Sequence, residues 1–243
     1  MEFTQDHVQG SAIFPDYPII FRAKDGQLHL KLMSWSCLAR WVKEKPDNKD
    51  PKTIKLRNGY LNARSERILD DPSSLWYKIK DNRCLIPVSG ILEHRGVLGW
   101  KKSIPYHVRP KDQKEFFLPA LYSVNNVVDK DTGELVEFYS FALITEDANE
   151  LMRMIHNSGD NPFRMPLFLP FAMAMEFISP DLSEQRYREI LAYKIPSEDL
   201  AYHSTFTIRS SKPHPLGLRK HEPYEWPGQP PLGEKNPEIK MKE

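Results

Sequence analysis

Cysteine is scarce in this chain, with two among 243 residues, Cys37 and Cys84. Both sit in apolar contexts, WSCLA and RCLIP. That marks them as reduced, buried thiols and leaves no disulfide framework. Metal-ligand spacings are missing as well: neither CxxC nor HExxH occurs, so no metal and no other cofactor is expected. Charge of one sign is not in excess. The 34 basic and 33 acidic residues leave +1, so any basic surface must be local. No apolar run reaches the roughly 20 residues of a membrane-spanning helix. The opening MEFTQDHVQG has neither the basic nor the apolar stretch of a secretory leader. A monomer of the bacterial cytosol, with no membrane partner, is expected. Internal repeats, a glycine-rich phosphate loop and a GxSxG elbow are also lacking. Ser89 and Cys84 stand in no motif that marks an activated nucleophile.

What is present is a soluble globular composition, 40% hydrophobic and 28% charged, long enough to bury a core unaided. Strand patterns dominate. LHLKLMSW (28–35) alternates, with Leu28, Leu30 and Leu32 on one face. RCLIPVSGILEHR (83–95) is apolar but interrupted by Pro87 and Gly90, which predicts a bend or bulge. PYHVRP follows, and then two long apolar runs flank DKDTGEL as a hairpin. MPLFLP (165–170) and YHSTFTI (202–208) read as short strands. Helices are fewer. Asp71-Pro72 is the expected cap of SSLWYKIKD, Asp147 with Glu150 that of ANELMRMIH, and Ser183 that of SEQRYREILAYK. Residues 43–57 are expected as an exposed basic loop. From residue 211 proline becomes too dense for regular structure, so 211–243 reads as a tail that drapes or frays after a single domain over 1–210. The fold class is α+β, sheet-rich, with a few outer helices.

Four polar groupings stand out. In YLNARSER, an extended segment places Asn62, Arg64 and Glu66 on one face, where an arginine suits a phosphate and an amide suits a carbonyl. Taken on spacing alone, it is more often a charged strand end. Glu93 follows a long uncharged run, where desolvation favours proton transfer. The plainer reading is a carboxylate reaching the surface. His156 closes a helix, where the dipole alone favours it, though an imidazole there also suits a proton shuttle. Arg164 precedes a buried strand and stands at a cleft edge or simply on the surface.

Taken in order, these segments resemble the SOS response-associated peptidase (SRAP) family. NARSE is Asn62 to Glu66, the RCLxPxxGfyEW motif is Arg83 to His94, and IHxRMPxiLP is Ile155-His156, an insertion, then Arg164 to Pro170. A weaker WGLIPxW runs from Trp35 to Trp41. The resemblance spans about 28–210 and implies a mostly antiparallel, barrel-like core. It implies binding to abasic sites in single-stranded DNA, with an N-terminal cysteine capturing the sugar aldehyde, autopeptidase chemistry freeing that cysteine, and lyase-like chemistry at the abasic site. It further implies that Asn62 positions the nucleophile, that Glu93 handles protons and that His156 assists ring opening. Arg64, Arg164 and Trp35 would contact DNA by phosphate binding and stacking. The chain departs from the pattern at Met1-Glu2, where the family has cysteine second, and at Leu92 and His94, where it has aromatics. Two readings stay open: a start lying upstream, or a divergent member that keeps the scaffold as a single-stranded or junction DNA-binding module.

Overall fold

The computed structural model describes residues 7–23 and 25–237. The strands are β1 Asp16–Arg22, β2 Leu28–Trp35, β3 Asn62–Arg64, β4 Arg83–Val88, β5 Ile91–Arg95, β6 Ile104–Pro110, β7 Phe116–Val128, β8 Leu135–Asp147, β9 Arg164–Pro166 and β10 Leu200–Ser204. The helices are α1 Pro51–Asn58, α2 Leu75–Lys78, α3 Glu150–Ile155, α4 Phe171–Phe177 and α5 Glu184–Leu191. The main sheet runs β2-β1-β4-β7-β8, and β2 meets β8 again in parallel at Ser34↔Ser140 and Trp35↔Phe141. Five strands thereby close into a barrel, with β3 and β9 added along β8. A second sheet, β10-β6-β5, is antiparallel throughout.

Period-two alternation explains why the barrel strands read as unbroken apolar runs: both faces are covered. On β8, Phe141 faces one cluster with Ile19, Met33, Cys84 and Leu118, while Ala142 and Ile144 face another. That second cluster takes the apolar stripe of α5, Tyr187, Ile190 and Leu191, together with Phe177 from α4. The thiols are buried as expected. Burial pushes Cys37 up to about 12 and moves Cys84 the same way, so neither is a nucleophile at neutral pH.

The hairpin of β7 and β8 forms as the sequence predicts, with Val128↔Leu135 closing it. The predicted bend in 83–95 is a full break: β4 and β5 lie in different sheets and part at Ser89-Gly90. Leu28, Leu30 and Leu32 do share a face, but it points outward and leaves them 46–67% exposed, while Met33 on the other face is buried. MPLFLP is a strand only as far as Pro166; Leu167 still donates its amide to the Ile144 carbonyl of β8 at 3.0 Å, and Leu167, Phe168 and Leu169 are buried.

Two expected caps shift by a few residues. Ser74, not Asp71, caps α2, because Asp71 is engaged by Ser73 and Arg67. Asn149, not Asp147, caps α3, because Asp147 is drawn to Arg164. Ser183 caps α5 as predicted. The expected basic loop contains α1, started by Asp50, whose carboxylate accepts from the amides of Lys52 and Thr53. Its Arg57 is buried. It donates to Ser34 Oγ (2.9 Å), the Trp35 carbonyl (3.0 Å) and Asn48 Oδ1 (2.6 Å), and its guanidinium stands 4.2 Å from the Phe14 ring centroid. One guanidinium thus ties α1 to β2 and to the segment before β1.

Residues 211–237 drape rather than fray. Arg95 is fully buried, and its guanidinium donates to the carbonyls of Pro230 (3.0 Å), Pro231 (2.8 Å) and Glu234 (2.5 Å). The Leu98 amide donates to the Lys235 carbonyl at 2.7 Å, and Trp226 Nε1 to the Thr205 carbonyl at 3.0 Å. Prolines fit here because Pro230 and Pro231 contribute their carbonyls, while the donors come from non-proline residues such as Tyr224 and Trp226.

Glu146 is buried on β8, and its Oε1 has no partner among the described residues. Burial raises its pKa to about 8, against the pull of Lys194 and Arg164. Between the ordinary carboxylate range and about 8 the folded protein therefore holds a proton that the unfolded chain releases, and stability falls as pH rises. His94 and His107, lowered to about 4, act in the opposite sense between about 4 and 6.5. The Glu146 effect is therefore cleanest above pH 6.5. Glu146→Gln is expected to raise the urea midpoint at both pH values, by the equivalent of about 2 kcal/mol more at pH 8.5 than at pH 6.5. An equal gain at both pH values removes the titration argument.

Candidate functional site

A cavity of about 380 Å³ opens where the barrel meets the smaller sheet. Two of the motif stretches line it, and a third stands beside one of them. Asn62 begins β3, which runs parallel to β8 with Asn62 opposite Leu143. Its side chain is exposed, lines the cavity and has no hydrogen-bond partner among the described residues. Glu93 lies on β5, opposite Tyr106, and also lines the cavity. His156 is the C-terminal cap of α3, which packs on β5. Its Nε2 stands 3.8 Å from Glu93 Oε2, with 23% and 26% of the two side chains exposed.

The tautomer of His156 follows from its other nitrogen. Nδ1 is 2.7 Å from the Arg164 carbonyl oxygen. A carbonyl only accepts, so Nδ1 carries a proton and Nε2 is the nitrogen turned to Glu93. Desolvation raises the Glu93 pKa, against the opposing pull of His156 and then Arg209. A carboxyl whose neutral form is favoured therefore faces a basic nitrogen at a partly wet lip, an arrangement suited to moving one proton in either direction.

The NARSE segment does not keep Asn62, Arg64 and Glu66 on one face. Extended backbone ends at Arg64, and Ser65–Arg67 turn into a 3-10 helix. Glu66 therefore swings to Arg164 and accepts from Nη1 and Nη2 at 3.0 and 3.1 Å. Arg164 also bonds Asp147 Oδ1 (2.8 Å) and the Thr145 carbonyl (2.8 Å), leaving 12% of its side chain exposed. A guanidinium so engaged holds the chain at residue 164, the residue whose carbonyl orients His156. Arg64 is exposed and donates from Nη2 to Asn161 Oδ1 at 3.1 Å.

Trp35 lines the cavity, but its indole is partly enclosed. It stacks on Phe141 with centroids 5.7 Å apart, donates from Nε1 to the Leu61 carbonyl at 3.0 Å, and lies against Gly10, where an added Cβ would come within 2.8 Å of the ring. Part of its ring surface is thus taken up by the protein itself, while the side chain stays partly exposed along the cavity.

Histidines line the cavity beyond any sequence expectation: His7, His94, His107 and His221, four of the eight in the chain. Burial first, then Arg209 and His156, holds His94 down to about 4. Burial, then His203 and His221, does the same for His107, whose ring stacks on His203 at 5.0 Å. Both are neutral at pH 7. Gly90 makes this packing possible, since a Cβ there would sit 1.9 Å from His107 Nε2. Among the described residues no group of three or more His, Cys, Asp or Glu is placed to hold a metal ion, and no helix is long and apolar enough to cross a membrane. Arg209 and His221 come from beyond β10. The only sequence signal for them was a concentration of basic residues in the draped segment.

Comparison with known proteins bears on the fold and the family. A solved protein of Bacteroides thetaiotaomicron is 29% identical, with a TM-score of 0.63 over 79% of this chain and 74% of that one. A Bordetella bronchiseptica protein shares the fold at 19% identity and TM-score 0.57, over 79% of this chain and 84% of that one. A phage-related protein from the same organism does so at 20% and 0.55, over 80% and 79%. No curated protein matches the sequence. The family model described as SOS response associated peptidase (SRAP) matches residues 7–207. The chain belongs to the SOS response-associated peptidase family.

Proposed function

We propose that the protein binds single-stranded DNA at an abasic site and processes the ring-opened sugar aldehyde through an imine, with self-processing of the N-terminal segment as part of the same chemistry. The observation that carries this reading is that Asn62 and Glu93, from separate motifs, line one cavity, with His156 of a third motif standing 3.8 Å from Glu93. In the imine step an amine nitrogen bonds the aldehyde carbon. The resulting carbinolamine then loses its hydroxyl as water. The second half needs a proton delivered to oxygen and the first needs one taken from nitrogen, and the Glu93–His156 pair is suited to both. Asn62, with a free amide, orients the reacting group. Arg64, exposed beside it, holds a flanking phosphate. Arg164 supports His156 from behind.

A second reading is favoured by one feature. His94 and Leu92 flank Glu93 where the family has aromatics, and this suits a module that binds DNA without covalent chemistry. One assay separates the two. The protein is incubated with single-stranded DNA carrying one abasic site and run on denaturing gels with and without borohydride. A band that appears with borohydride reports the imine, and one stable without it reports a closed thiazolidine. A salt-sensitive gel shift with no denaturing-stable band establishes the binding module and ends the covalent reading.

A further inference from the structure

The stretch 208–221, IRSSKPHPLGLRKH, carries four basic residues and no acidic one, in a chain whose formal charge is +1. It lies just beyond the family match, which ends at 207. A surface charge run is more often simply solvated, but three observations point to a ligand. First, the stretch is anchored. Phe206 stacks on Trp226 with centroids 5.5 Å apart, the Tyr224 amide donates to the Ser204 carbonyl at 2.8 Å, and Lys220 Nζ donates to the carbonyls of Ser210 and Ile208. Second, its first basic residue opens onto the cavity. Arg209 lines it, and its charge is felt by both Glu93 and His94. Third, the side chains of Arg209, Lys212 and Arg219 are exposed and have no acidic partner among the described residues. Other surface arginines, such as Arg67, Arg186 and Arg188, are ion-paired.

We infer that residues 208–221 form a docking strip for the backbone of single-stranded DNA, in which Arg209, Lys212 and Arg219 contact phosphates flanking the nucleotide held in the cavity. This rests on the function proposed above and adds to it a grip that the shared part of the family does not supply. Three guanidinium or ammonium groups on an anchored loop suit a polyanion, and such contacts set affinity and register without reading sequence. Leu216 and Leu218, 70% and 49% exposed between the basic residues, offer apolar surface to the bases of an unpaired strand.

The test is fluorescence anisotropy of a labelled single-stranded abasic oligonucleotide against salt concentration. The variant R209A/K212A/R219A is expected to bind at least tenfold more weakly at about 50 mM salt. Its slope of log affinity on log salt should be smaller by about 2, since each single-strand phosphate contact contributes roughly 0.7. The charge-conserving R209K/R219K should keep the slope, and a thermal melt checks that the variants fold. If the triple variant is unstable, the exposed K212A alone should reduce the slope by about 0.7. Unmodified protein and folded triple variant binding with the same affinity and slope overturns the strip and leaves the functional reading standing. Unmodified protein showing no salt-dependent binding overturns both.

Discussion

Removal of residues 222–243 is expected to unfold the protein or cost at least about 5 kcal/mol, and replacing Arg95 by methionine should partly rescue the shortened chain. The argument starts from one buried cation. Among the described residues the Arg95 guanidinium has no ion-pair partner, and it donates to the carbonyls of Pro230, Pro231 and Glu234 and to the hydroxyl of Tyr106. Taking those carbonyls away leaves a charge in the interior with little to solvate it, a change that costs roughly 3–5 kcal/mol where a buried pair is broken. Loss of Trp226 from the Phe206 stack adds the burial of a large aromatic. In the full-length protein Arg95→Met strands the carbonyls instead and should cost about 2–4 kcal/mol. The two changes are therefore far from additive: once the segment is gone, removing the charge is a gain. Urea denaturation of the two single variants and the combination checks this. Additive losses mean that Arg95 and the segment do not depend on each other.

Glu93→Gln is expected to slow borohydride-trapped cross-linking by about 10²–10⁴-fold while leaving DNA affinity within about twofold. Glutamine keeps the shape and some hydrogen bonding but can neither give nor take the proton that the neighbouring imidazole nitrogen faces. His156→Ala should produce a similar fall, and the double variant little more, if the two groups serve the same proton-transfer step. The raised Glu93 pKa also has a sign. The acid limb of the pH–rate profile should lie above the ordinary carboxylate range, and Glu93→Gln should flatten that limb. An unchanged rate in Glu93→Gln removes this residue from the chemistry, whatever the cavity's shape.

Much of this was legible in the sequence because it is local. Alternation marked the strands, DKDTGEL marked the hairpin, and Ser183 marked its helix. Asn62, Glu93 and His156 were legible only as members of ordered motifs, since nothing in their spacing says that β3, β5 and the end of α3 meet. What was not legible depends on distant partners. Glu66 leaves the face predicted for it because Arg164, nearly a hundred residues on, outcompetes solvent for its carboxylate. Asp147 loses the cap of α3 to the same arginine. The draped segment looked unstructured because proline removes the ladder signal, and a buried arginine gathering carbonyls has no sequence pattern at all. Trp35 carries the motif, but Gly10 and Phe141 decide what its ring touches.

The cavity is built half from strands and half from two stretches that belong to no strand, around His7 and around Arg209 and His221. The strand half carries the amide and the acid, and the other half carries much of the imidazole and cationic lining. Substitutions in those outer stretches leave the ladders untouched, so the lining of the cavity can be retuned there without re-solving the folding problem. Diversification within this architecture is expected to concentrate at those two borders, with the barrel acting as an inherited chassis.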